Sequence, residues 1–167
     1  MTTKTGSRAA KVTLPADNQI MITREFDAPA HLVWKAWTTP DLVKRWWHAN
    51  RGTMQQADID LRVGGTWRWV MIAEGGFEVA FHGEYREIVP NERLVYTEVY
   101  EGAPPGPDGE EAAVNTLVFT ARGNRTLVTN LVETRTRDVR DAIIGSGMEA
   151  GMQDALDLLE QVAISLS

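Results

Sequence analysis

The sequence predicts an α+β domain in which a strongly curved antiparallel sheet is followed by one long C-terminal helix. Two changes of period carry that reading. Apolar residues alternate at period two from Thr53 to Thr134, and the period becomes 3.6 from Arg137 to Leu166. The third observation is the turn punctuation at Val63-Gly64-Gly65, Glu74-Gly75-Gly76, Pro90-Asn91-Glu92, Gly102 to Gly109 and Gly123-Asn124, which divides the first span into six strands joined mostly as hairpins. A further strand at Ile20–Phe26 makes the sheet seven-stranded.

In chain order, residues 1–17 are polar, carry scattered Lys4, Arg8 and Lys11, and lack an apolar central run, so they read as a disordered leader rather than a signal peptide. Residues 18–167 form a single domain, a length that buries roughly two-thirds of its unfolded surface. After the first strand, Asp27-Ala28-Pro29 opens a short helix carrying Leu32, Val33, Ala36 and Trp37, and Thr39-Pro40-Asp41 opens a second with Leu42, Val43, Trp46 and Trp47. Thr66–Met71 places Trp67, Trp69 and Met71 on one face, and Phe77–Tyr85 groups Phe77, Val79, Phe81, Gly83 and Tyr85; both faces are expected to look inward. Leu127, Thr129 and Leu131 are expected opposite Leu117 and Phe119. Glu101 to Glu111 is rich in proline, glycine and acid and reads as a mobile loop, either a tolerated insertion or a lid.

The long helix contains Gly145, Gly147 and Gly151, each costing about 0.8–1.0 kcal/mol relative to alanine in a helix interior. Either the helix lies close on the sheet at these points, or the missing side chains leave room for a ligand.

Composition excludes several classes of function. A net charge of −6 argues against nucleic-acid partners, which are held by clustered Lys and Arg. No apolar stretch approaches the ~20 residues that cross a bilayer. The absence of cysteine removes thiolate chemistry and fits a cytoplasmic setting. No cofactor is implied, a homodimer is compatible with the sequence, and His31, His48 and His82 lack the close spacing of a metal site. Phosphate loops and zinc-protease helices are missing, and Gly145-Ser146-Gly147 is not on a strand-to-helix turn, so no residue is assigned as catalytic.

What remains points to an apolar binding site. Trp46, Trp47, Trp67 and Trp69 can supply flat walls for a ring-bearing ligand, joined by Met71, Phe81, Tyr85, Met148 and Met152 from converging strand and helix faces. Tyr96, Glu98 and Tyr100 share one face of a strand, and the direction of that face is open. If inward, Glu98 becomes a carboxyl of raised pKa able to anchor a ligand or exchange protons. Asn115 can offer an amide at the pocket end, and His48 a hydrogen bond at its rim.

Ile22–Pro29, the Trp34–Trp47 helical pair, Val63-Gly64-Gly65 before Trp67-Arg68-Trp69, Gly83-Glu84-Tyr85, Pro90–Leu94 and Ser146–Met152 together resemble the SRPBCC superfamily, in its branch of heat-shock ATPase activator homologues. The resemblance spans residues 18 to 164. It implies the helix-grip fold of the birch pollen allergen and START domains, a seven-stranded curved sheet gripping the C-terminal helix, with a cavity for apolar small molecules between them. His48-Ala49-Asn50 departs from the glycine and proline that many relatives show after the tryptophan pair. The primary functional expectation is binding of a hydrophobic, aromatic small molecule, and a cyclase- or hydrolase-type enzyme and a chaperone-interacting protein domain are the alternatives. A large enclosed cavity with a buried carboxylate favours the enzyme, and a filled core with an exposed apolar patch favours the interaction domain.

Overall fold

The computed structural model describes residues 9–102 and 113–167. The strands are β1 Lys11–Thr13, β2 Gln19–Phe26, β3 Gly52–Ile59, β4 Thr66–Ala73, β5 Glu78–Val89, β6 Arg93–Tyr100, β7 Ala113–Arg122 and β8 Arg125–Thr134. The helices are α1 Ala30–Thr38, α2 Pro40–Val43, α3 Arg137–Gly145 and α4 Met148–Ser165. All strand pairs are antiparallel, in the order β1-β2-β8-β7-β6-β5-β4-β3.

The sheet therefore has eight strands where the sequence predicts seven. The addition, β1, falls within the expected leader: Lys11 to Thr13 pair with Thr23 to Met21, and the backbone N–H and C=O of Ala10 are both held by the Gln153 amide, at 2.9 and 2.8 Å. Three residues alternate too briefly to register as a strand, and β1 is supported by a side chain 143 positions away. The loop expected at Glu101 to Glu111 lies, from 103 onward, outside the described residues.

The grip of sheet on helix has identifiable fasteners. Adjacent residues of α4 reach toward opposite ends of the strand order, Gln153 to Ala10 before β1 and Asp154 to Arg51 before β3, the latter at 2.6 Å. Irregularities at Met54/Gln56 and Tyr85/Glu87 add the local bend that bulges give. Arg24 of β2, 3% exposed, pairs with Asp157 at 2.5 Å and Glu160 at 3.2 Å, and its guanidinium lies 5.0 Å from the Phe26 ring centroid. Glu160 also accepts the Asp27 N–H at 2.8 Å, which ties α4 to the entrance of α1. Ile20, Phe26, Val33, Val43, Leu117 and Leu159 are fully buried between these layers.

Two expectations are corrected. The C-terminal helix is not continuous, because Gly147 takes φ +82°, a left-handed conformation that L side chains avoid, and the chain restarts there as α4. No heavy atom from outside its own helical turn or chain neighbours lies within 4 Å of a Cβ built on Gly145, Gly147 or Gly151, so these glycines do not serve close packing on the sheet. On β8 the register pairs Leu117 with Asn130 and Phe119 with Val128, so Val128 and Val132 face the core and Leu127, Thr129 and Leu131 face outward. The two-residue hairpin loop between Arg122 and Arg125 sets that register.

Candidate functional site

The inner face of β4 to β7 is lined with rings because strand alternation stacks Trp67 and Trp69 beside Phe81 and Tyr85, and these beside Tyr96 and Tyr100. Trp67 and Trp69 are 5.0 Å apart by ring centroid, Trp67 meets Tyr96 edge-on at 5.6 Å, and Tyr85 meets Tyr96 at 6.3 Å. A second run of edge contacts leads outward from the core: Trp37 to Trp46 at 5.6 Å, Trp46 to Trp69 at 5.9 Å, Trp69 to Trp47 at 5.8 Å, Trp47 to Phe81 at 5.7 Å. It ends where Phe81 lies against Tyr100 at 5.0 Å, and Tyr100 is 40% exposed.

The direction of the Tyr96-Glu98 face, open in the sequence, is inward. Tyr96 and Glu98 pair with Asn115 and Ala113, which are 2% and 4% exposed, and share their face with buried Leu94. Asn115 donates its Nδ2–H to Glu98 Oε1 at 2.9 Å. Burial raises the Glu98 pKa above the ordinary carboxyl value, and the Asn115 hydrogen bond partly offsets this. Tyr96 is held well above the ordinary phenol range, by burial first and then by the negative charge of Glu98 and Tyr85; Tyr85 is raised by burial.

The free space is small. A hollow lined by Trp37, Trp67, Trp69, Tyr85, Leu94 and Tyr96 encloses about 10 Å³, near the minimum for a single water. This hollow is water-sized because tryptophan and tyrosine rings fill the space around it. On this face two buried polar atoms have no hydrogen-bond partner among the described residues: the indole Nε1–H of Trp69 and Oδ1 of Asn130.

Of the predicted site residues, the structure brings Trp67, Trp69, Tyr85 and Tyr96 together around the hollow, with Glu98 and Asn115 alongside. Met71 and Phe81 are half-buried on the same face, and Met148 and Met152 pack against the core from the first turns of α4. Trp46 is placed otherwise: it is 3% exposed and its indole N–H donates to the Ala36 carbonyl at 2.8 Å, so it is a packing residue. His48 Nδ1 accepts the Asn50 N–H at 2.9 Å in a turn where Ala49 and Asn50 both have positive φ, 52° and 60°. His82 faces outward, 2.8 Å from Glu101, which is held down to about 2 chiefly by a two-pronged hydrogen bond from Arg68. Among the described residues, no group of three or more His, Asp or Glu side chains is placed to hold a metal ion.

Sequence reasoning missed Trp37 and Leu94 as lining residues and Trp47 as the more accessible of the tryptophan pair. Helical spacing marked Trp37 and Trp47 as apolar-face residues, but it carried no signal for which of them meets the sheet. Among the described residues, no helix is long and apolar enough to cross a membrane.

Solved structures share this architecture. A protein from Rhodobacter sphaeroides superposes with a TM-score of 0.83 at 24% identity, over 94% of this chain and 99% of that one. One from Nitrosomonas europaea gives 0.80 at 23%, over 91% and 97%. An AHSA1-like protein from Aeromonas hydrophila gives 0.62 at 23%, over 87% and 93%. None of the curated proteins matches the chain. The helix-grip architecture agrees with a sequence match over residues 27–163, and by that match the chain belongs to the family of activator of Hsp90 ATPase homolog 1-like proteins.

Proposed function

We propose that the protein binds a small aromatic molecule against the inner face of the sheet. The observation that carries this reading is the Trp69 indole N–H, buried without an acceptor among the described residues while its ring lines an aromatic hollow. An unpaired buried donor costs about 1–3 kcal/mol, and an occupant bearing an acceptor removes that cost. Room for the occupant comes from half-buried side chains: Trp47, which meets Trp69, Phe81 next to it, and Met148 and Met152, which pack against the core and repack most readily.

The test is saturable binding of the neutral fluorescent probe N-phenyl-1-naphthylamine, followed together with native mass spectrometry of protein from its own host for a copurifying small molecule. Ala113→Leu, which adds bulk to the inner face beside Glu98, is expected to weaken probe binding about tenfold, since overpacking costs about 1–3 kcal/mol. Absence of saturable binding of this probe and of the indole probes named below, with no copurifying molecule, sinks the reading. Turnover of an aromatic substrate by wild type but not by Glu98→Gln would make the site enzymatic.

A second reading, a protein-interaction domain, draws support from the smallness of the hollow together with exposed Phe77, at 62%, and Tyr100. It predicts that the chain raises the ATPase rate of an Hsp90-type chaperone and that Phe77→Ser removes the effect without altering probe binding.

A further inference from the structure

Glu98 stands in a gap between side chains. The pairs His82 with Val99 and Tyr85 with Tyr96 place Gly83 opposite it on β5, and Ala113 is its partner on β7. Gly83 cannot be enlarged, because a Cβ there would lie 1.8 Å from the Thr97 carbonyl oxygen and 2.6 Å from Trp67 Nε1, which donates to that carbonyl. The carboxyl is thus flanked by a hydrogen atom on one side and a methyl group on the other. Trp67 stands beyond Gly83, and the Tyr85-Tyr96-Asn115 row runs alongside.

The partners of Glu98 are incomplete. Asn115 supplies one N–H to Oε1, and no Lys, Arg or His among the described residues pairs with the carboxyl. The other inward-facing carboxylate, Glu160, has the Arg24 guanidinium. The residue is only partly buried, so the gap has a route to solvent. A neutral aromatic occupant would seal an unpaired carboxylate, which is costly, and an anionic one would be repelled. A cation is favoured three times over: by the charge of Glu98, by the aromatic residues Trp67, Tyr85 and Tyr96 at neighbouring strand positions, and by the chain's net charge of −6.

We infer that the occupant is an arylalkyl amine whose ammonium donates to Glu98 while its aromatic body lies along Trp67 and Tyr96. This rests on the small-molecule reading above and adds the ligand's charge and polar group to it.

The probes are tryptamine and its neutral counterpart tryptophol, compared by titration calorimetry at neutral pH. Wild type is expected to bind the amine at least about tenfold more tightly than the alcohol, the size of a charge-assisted hydrogen bond. Glu98→Gln is expected to bring the two within about twofold while leaving the alcohol's affinity in place. Equal affinity of wild type for both probes overturns the inference without any variant, and so does a Glu98→Gln protein, folded by its melting curve, that keeps the preference. If neither indole binds but N-phenyl-1-naphthylamine does, the amine assignment fails alone. If no probe binds, the small-molecule reading fails with it.

Discussion

Glu98 and Glu101 are three residues apart and have opposite electrostatic fates. Glu101, just past the end of β6, meets the outer face, where Arg68 grips it with two hydrogen bonds of 2.9 Å and His82 adds a third contact at 2.8 Å. Glu98 meets the inner face, where one amide at 2.9 Å is its partner and Tyr96 is its neighbour on the strand face. The first has its pKa lowered to about 2 and the second has it raised above 4.5. A carboxyl's behaviour is thus set by which face its strand position selects, since water and cations are available on one side and aromatic side chains on the other. The outer network is structural and solvated. The inner group is costly to keep ionised, which marks it for binding.

The strongest way to break this contrast is to take the guanidinium out of the buried ion pair of Glu160, leaving the Asp27 N–H on its other oxygen. Arg24→Met is expected to cost about 3–5 kcal/mol, the penalty for stranding one partner of a buried ion pair, read as a large drop in the urea midpoint. A loss below about 1 kcal/mol would show that Arg24 is solvated in solution and that inner and outer faces do not differ as argued.

A smaller effect is expected when the single partner of Glu98 is removed. Asn115→Leu should cost about 1–3 kcal/mol at neutral pH, because the amide that offsets burial is gone. The cost should shrink on acidification as Glu98 takes up a proton, and a pH-independent loss would assign Asn115 to packing alone.

The smallest effects separate the two glutamates by sign. The folded pKa of Glu98 lies above its unfolded value, so its contribution is fully present below about 4.5 and is lost as pH rises through the folded value. Glu101 is the reverse, contributing above about 4.5 and losing that contribution as pH falls toward about 2. Glu98→Gln should therefore flatten the decline on the alkaline side of the carboxyl range, and Glu101→Gln the acid limb. Each change is expected to stay within about 1 kcal/mol, the latter weakening further with salt. Matching slopes in the two variants would contradict the face assignment.

Much of the architecture was legible in the sequence. Alternation in Thr66–Met71 and Phe77–Tyr85 placed Trp67, Trp69 and Tyr85 inward, and each is 8% exposed or less. Phe77 departs from that pattern because it precedes β5 and is 62% exposed. Gly147 was conspicuous as a helix-interior cost, but its meaning was misassigned: the residue ends one helix and begins another, a conformation that composition alone does not report. Trp46 and Trp47 were equivalent as letters, and their division into a packing residue and a rim residue depends on the short helix's rotation against the sheet.

Period and punctuation determine strands, helices and the alternating faces of each strand, because those follow from backbone geometry within a few residues. The tertiary structure alone decided which face of β6 is inward, that Glu98 stands between Gly83 and Ala113, and that the hollow beside Trp67, Trp69 and Tyr96 is water-sized. Those facts depend on the registers of β5 with β6 and β6 with β7, and on the close packing of rings brought from four strands, α1 and the turns after α2. Register couples residues far apart in the chain, so no local window of sequence contains it.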